Sequence, residues 1–249
     1  MKSISLPVFL IWFLATVSCG QNSTSKPTLT QTSDSVYQYR DAAQDGIGKV
    51  YMGREIAQVM GHLGAEWLER PEREQEERTD LLLKLLRLKP TDVVADIGAG
   101  TGYFSFRLAP ELRQGKVLAV DIQQEMIDLL NQAKQKNKAT NVEAVLGTIS
   151  DPKLPPNSID MALMVDAYHE FSHPYEMMRN IATALKPNGR VVLVEYRAED
   201  PSVPIKTLHK MSVAQAKKEL QAVGLQFDAV YKNLPQQHVL VFSKRAPGN

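Results

Sequence analysis

Apolar positions along this chain change their spacing several times. Residues 4 to 17 (ISLPVFLIWFLATV) are almost continuously apolar and follow one basic residue, Lys2. The run has about the length of a signal-peptide core and is short for a membrane span. Residues 20 to 35 (GQNSTSKPTLTQTSDS) carry no large apolar side chain except Leu29. Such a stretch reads as linker, Asn22-Ser23-Thr24 included, and a flexible linker is expected over residues 20–45. Then Ile56, Val59, Met60, Leu63, Trp67 and Leu68 recur at helical spacing, interrupted by Gly61 and Gly64. A charged segment over 72–88 ends in Leu81, Leu82, Leu85, Leu86 and Leu88 before Pro90 stops it. Together these predict a helical extension over residues 46–89.

After Pro90 the pattern becomes short apolar runs separated by helical stretches. Strands are expected at 93–97, 116–121, 142–146, 159–165, 191–195, 227–231 and 239–242. Helices are expected at 103–113, 124–137, from Pro174 to 185, and from a Ser212 cap to 222. This alternation predicts an α/β domain over 90–245, a mainly parallel sheet with helices on both faces. The turn at Leu234-Pro235 predicts an antiparallel end.

Composition narrows the function classes. Of 249 residues, 43% are hydrophobic and 23% charged, which is a globular profile, and the net charge of +1 gives no argument for nucleic acid. A lone cysteine, Cys19, excludes an internal disulfide and a multi-cysteine zinc site. No two histidines stand at a metal-ligand spacing such as H-E-x-x-H, so no metal is expected.

The strongest local signal is Asp96-Ile97-Gly98-Ala99-Gly100-Thr101-Gly102-Tyr103, between a strand and a helix. Glycines there permit a tight turn and close approach of a ligand to the backbone. A dinucleotide loop would want glycine at Tyr103, and Asp96 would repel a pyrophosphate, so a nicotinamide-dependent oxidoreductase is the weaker alternative. Asp121 closes the second strand, 21 residues after Gly100, where a carboxylate can accept from a ribose diol.

On these residues the chain, over about 90 to 244, resembles the class I S-adenosylmethionine-dependent methyltransferases. Ser158 to Asp166 is similar to that family's fourth strand, and Leu185-Lys186-Pro187-Asn188-Gly189 to its turn before the fifth. The resemblance implies a Rossmann-like, doubly wound seven-stranded sheet with its last strand antiparallel. It implies S-adenosyl-L-methionine as cofactor, held by Asp96, Gly98, Gly100, Gly102 and Asp121, with Ile122 beside the adenine. Where the family often places an acidic residue after the third strand, this chain has Thr148, so Thr148, Ile149 or Asp151 is the adenine contact.

Methyl transfer from a sulfonium is an in-line displacement that needs alignment and exclusion of water. It needs a base only where the acceptor loses a proton. The candidates follow the fourth strand: Asp166 for the methionine ammonium, Tyr168 to position a small-molecule acceptor, and His169 as base. Glu195 and Tyr196 close the fifth strand on the same edge, and His62 faces the pocket if the extension is a lid.

Thr16-Val17-Ser18-Cys19-Gly20 resembles a bacterial lipobox, with Thr16 in place of the usual aliphatic residue. That implies a signal peptide over 1–19, lipidation of Cys19 and a membrane-anchored place in the cell envelope. The alternatives are a plain secretion signal and a retained anchor. The cofactor is made in the cytosol, which keeps open a cytoplasmic location and a non-catalytic, envelope-anchored binding protein of the same fold.

Overall fold

A computed structural model describes residues 36–245. Cys19, the expected signal segment and most of the expected linker lie outside the described residues. The described part begins as a β-sheet, which corrects the expected helical extension. Tyr37–Tyr39 (β1), Gly46–Tyr51 (β2) and Arg54–Ala57 (β3) form an antiparallel sheet in that order. β1 pairs with β2 from Tyr37↔Tyr51 to Tyr39↔Lys49, so the expected linker ends before residue 37. Met52 and Gly53 both have positive φ, 49° and 96°, and join Tyr51 to its partner Arg54. A two-residue loop with both φ values positive matches the twist of a hairpin.

The helical spacing read over 54–70 yields only a 3₁₀ turn at His62–Gly64 and one helical turn at Ala65–Leu68 (α1). The single helix expected over 72–88 is two, Arg73–Glu77 (α2) and Thr79–Leu86 (α3). They divide at Arg78, whose backbone is left-handed, and the Glu74 carboxylate accepts from the Thr79 hydroxyl and from the Asp80 N–H at 3.1 Å. A carboxylate from α2 thus serves the free N–H groups at the start of α3.

The remainder follows the sequence, except that the helix expected over 103–113 ends at Leu108 and the strand expected at 191–195 begins at Leu185, through the expected turn. Val93–Ile97 (β4), Tyr103–Leu108 (α4), Lys116–Asp121 (β5), Gln124–Asn137 (α5), Val142–Leu146 (β6) and Ile159–Val165 (β7) come first. Pro174–Ala184 (α6), Leu185–Tyr196 (β8), Val213–Gln221 (α7), Gln226–Tyr231 (β9) and Gln237–Ser243 (β10) complete the domain. The seven strands run β6-β5-β4-β7-β8-β10-β9. β4 to β8 pair in parallel, and β10, last in the chain, is antiparallel to both its neighbours.

Alternation along each strand separates two cores. Ala95, Leu118 and Ala162 pack with Met178 and Ile181 of α6 and Leu220 of α7. Val94, Val117 and Met161 pack with Leu82 and Leu86 of α3 and Phe104 and Leu108 of α4. The strand order reverses at β4: the chain moves outward through β5 and β6, then returns to β7. Loops leaving the carboxyl ends of β4 and β7 therefore diverge and open a crevice, the usual ligand position in such sheets.

Candidate active site

A cavity of about 660 Å³ opens at that crevice, lined from the strand ends by Ile97, Asp121, Asp166 and Tyr196. The size suits a cofactor with a small partner. The segment after β3 roofs it through Met60, Trp67 and Leu68. This roof is tied to the sheet edge: Met60 donates its N–H to Glu170 Oε2 at 3.1 Å, and Gln123 Nε2 donates to the Met60 carbonyl at 3.0 Å. His62 contributes its backbone N–H to Gln123 Oε1 at 3.0 Å, and its ring does not line the cavity.

Gly98 and Gly100 line the cavity with φ of 76° and 55°. A Cβ on Gly98 would lie 2.8 Å from the Ala167 Cβ, and one on Gly100 2.7 Å from Leu68 Cδ1. The loop thus has neither the backbone nor the room for side chains. Gly98 and Ala99 both donate to the Val120 carbonyl, at 2.9 and 3.0 Å, which ties the loop to β5. Gly102 stands back from the cavity and opens α4 in a left-handed conformation.

The predicted carboxylates divide. Asp121 lines the cavity; its Oδ2 accepts from Gly100 N–H and its Oδ1 from Gln123 N–H, each at 2.9 Å. Burial raises its pKa against those hydrogen bonds. Asp96 lies behind the loop, buried, accepting from the Ser105 hydroxyl at 2.6 Å. Burial pushes its carboxyl up to about 6. It braces the loop against α4 and does not line the cavity.

Asp166 lies in the cavity wall with a positive φ of 49°. Its Oδ2 accepts from Gln237 Nε2 at 2.5 Å, while its Oδ1 is buried without a hydrogen-bond partner. Burial, then the nearby Glu77 and Glu195 carboxylates, hold its pKa well above the ordinary carboxylate range. A buried oxygen left unpaired is costly, so this carboxyl is the wall group with hydrogen-bonding capacity still unused.

Among the adenine candidates Ile149 lines the cavity, beside Ile122, and is half exposed. Thr148 instead accepts from the Asp151 N–H at 3.1 Å, and Asp151 pairs with Lys153, so both face away. Tyr168 is also away from the cavity, fully buried and donating its hydroxyl to Glu219 at 2.7 Å. That corrects its expected place beside the acceptor.

His169 does line the cavity and is itself buried. Its Nδ1 lies 2.6 Å from Glu195 Oε2, and Glu195 Oε1 accepts the Tyr168 N–H at 3.1 Å. A carboxylate at Nδ1 selects the tautomer with the proton there, so Nε2 carries the lone pair, which faces His209. Nε2 lies 3.2 Å from His209 Nδ1. His209 and Gln237 carried no sequence signal for this site, being distant in the chain and isolated among polar residues.

Comparison with known proteins agrees with this architecture. The methyltransferase domain family model matches residues 88–239. An uncharacterized methyltransferase-like protein of Schizosaccharomyces pombe is 32% identical over 126 residues, 51% of this chain and 46% of its own length. The uncharacterized methyltransferase YcgJ of Bacillus subtilis is 31% identical over 122 residues, 49% of this chain and 47% of its own. This chain therefore spans about half the length of the curated relatives it matches. The crystal structure of a SAM-dependent methyltransferase from Aquifex aeolicus superimposes with a TM-score of 0.70 at 22% identity, over 74% of this chain and 99% of that one. The chain belongs to the methyltransferase domain family.

Proposed function

We propose that this protein transfers a methyl group from S-adenosyl-L-methionine to a small-molecule acceptor in the roofed cavity. The observation that carries the reading is the convergence of Asp121, Asp166 and the glycines of the loop on one cavity, with Asp166 Oδ1 buried and unpaired in its wall. The residues present fit the cofactor. Asp166 would take the methionine ammonium, Asp121 the ribose hydroxyls, and Ile122 and Ile149 the adenine faces, with Gly98 and Gly100 letting the backbone approach.

The cofactor supplies an electrophilic methyl on a positively charged sulfur. The chain's contribution is alignment of the acceptor and exclusion of water by the roof of Met60, Trp67 and Leu68. His169 acts on the acceptor: held by Glu195 through Nδ1, it carries on Nε2 the lone pair that takes the proton of an O–H or N–H displacing the His209 contact. Tyr168 is not part of this chemistry. No observation in the cavity favours the nicotinamide alternative.

Calorimetry of the full chain with adenosylmethionine, adenosylhomocysteine and NAD tests the reading. Binding of both sulfur nucleosides is expected, followed by labelled methyl transfer into a small-molecule extract. Response to NAD alone would end it, and binding without transfer to any acceptor would favour a non-catalytic binder. The envelope location is proposed from the lipobox-like segment, and labelled palmitate on the wild-type chain but not on Cys19→Ala is its expected sign.

A further inference from the structure

His169 and Glu170 lie in a 3₁₀ turn, Tyr168–Glu170, after β7, and His209 ends another, Thr207–His209, after β8. All three line the cavity. Three atoms converge: His169 Nε2 and His209 Nδ1 are 3.2 Å apart, His209 Nδ1 and Glu170 Oε1 3.4 Å, and His169 Nε2 and Glu170 Oε1 3.8 Å. A triangle with those sides has its equidistant point about 2.0 Å from each corner, the length of a zinc–nitrogen or zinc–carboxylate bond. We propose that His169 Nε2, His209 Nδ1 and Glu170 Oε1 bind a divalent transition-metal ion, zinc or a chemical equivalent, in the wall of the cavity. This reverses the expectation of no metal, which rested on spacing along the chain.

The surrounding bonds support ligation. Glu195 holds His169 Nδ1 at 2.6 Å, the carboxylate–histidine–metal arrangement that fixes ring orientation and leaves Nε2 as the donor atom. Glu170 Oε2 accepts the Met60 N–H, so its Oε1 remains for an ion. Two imidazoles and one carboxylate suit zinc, whereas magnesium and calcium favour all-oxygen sets. Three protein ligands leave a position for a fourth group, as in catalytic zinc sites, and all three residues line the cavity. On the methyl-transfer reading, the fourth group is the acceptor's heteroatom. Acceptor activation by His169 then passes through the ion rather than by direct proton transfer.

The test uses the untagged full chain, stripped with a chelator. It is titrated with Zn²⁺ by calorimetry and with Co²⁺ by visible absorption. One ion per chain is expected, with the absorption bands of cobalt in a nitrogen–oxygen site. His209→Ala and Glu170→Gln should each weaken Zn²⁺ binding roughly a hundredfold. His173→Ala, whose ring lies outside the triangle, should leave it unchanged. The His209 side chain is 22% exposed, so its truncation leaves the core intact. No stoichiometric binding, or equal affinity in wild type and His209→Ala, would overturn the metal site and leave His169 as a direct base. Adenosylhomocysteine is titrated into the same samples without metal. Intact zinc binding with no nucleoside binding would instead end the methyl-transfer reading and leave the metal site standing.

Discussion

Glu195, near the end of β8, holds Nδ1 of His169 at 2.6 Å, across a gap of 26 residues in the chain. Both side chains are buried, and the pairing sets which ring nitrogen faces the cavity. Glu195→Gln keeps the shape and the acceptor for the Tyr168 N–H but removes the charge. A 10–100-fold fall in kcat is expected, by analogy with other orienting carboxylates, with adenosylhomocysteine affinity within about twofold of wild type. Steady-state kinetics beside calorimetry separates the two effects; an equal loss in both would mean that Glu195 shapes the cavity rather than orienting His169.

Asp121 joins the glycine loop to the sheet edge through Gly100 N–H and offers its carboxylate to the cavity. Asp121→Asn should weaken adenosylhomocysteine binding roughly 10–100-fold, the loss of a charge-assisted contact of about 1.5–3 kcal/mol. Unchanged affinity would place the ribose elsewhere.

Asp96 predicts a pH dependence of stability. Its pKa rises from 3.8 to about 6 because burial disfavours the charge, against the opposing Ser105 hydroxyl and Arg73. The folded state therefore holds this proton more tightly than the unfolded chain does. Its stabilising contribution is complete below about pH 4 and is lost as pH rises through about 6. That rise corresponds to about 3 kcal/mol. Asp96→Asn lacks the group, so its Tm minus that of wild type should climb between about pH 4 and 6.5 and then level off. Thermal melts of both proteins across that range check it; a flat difference would contradict the assignment.

Arg54 ties the amino-terminal sheet to the main domain. It donates to both oxygens of Glu219 at 2.8 and 2.9 Å and to the His169 carbonyl at 3.0 Å. The Glu219 side chain is fully buried. Arg54→Ala leaves that charge without its guanidinium and should destabilise the fold by about 3–5 kcal/mol in urea unfolding. A double replacement, Arg54→Met with Glu219→Gln, removes both charges, keeps an acceptor for the Tyr168 hydroxyl and should recover much of that loss. Failure of the double variant to recover would assign the cost to lost packing.

The seven strands and the glycine loop were legible because their signals are local. Val93–Ile97 and Lys116–Asp121 are short runs of a buried parallel strand, and Gly98 and Gly100 mark where a backbone must turn. Asp121 follows from its place at a strand end. The segment 54–70 misled because its apolar residues match a helical period, while a two-residue turn at Met52-Gly53 commits its first residues to a hairpin strand.

Sequence alone determined the α/β class, the cradle of Gly98, Gly100 and Asp121, and the place of His169 at a strand end. Tertiary structure alone decided that Asp96 braces the loop from behind and Tyr168 turns inward to Glu219. It also placed Gln237 against Asp166, 71 residues apart, and His209 against His169, 40 apart. The physical reason is that short-range periodicity records which face of an element is buried. Which side chains meet at one sheet edge depends on strand order and on where each connecting loop crosses that edge, and no residue spacing encodes either.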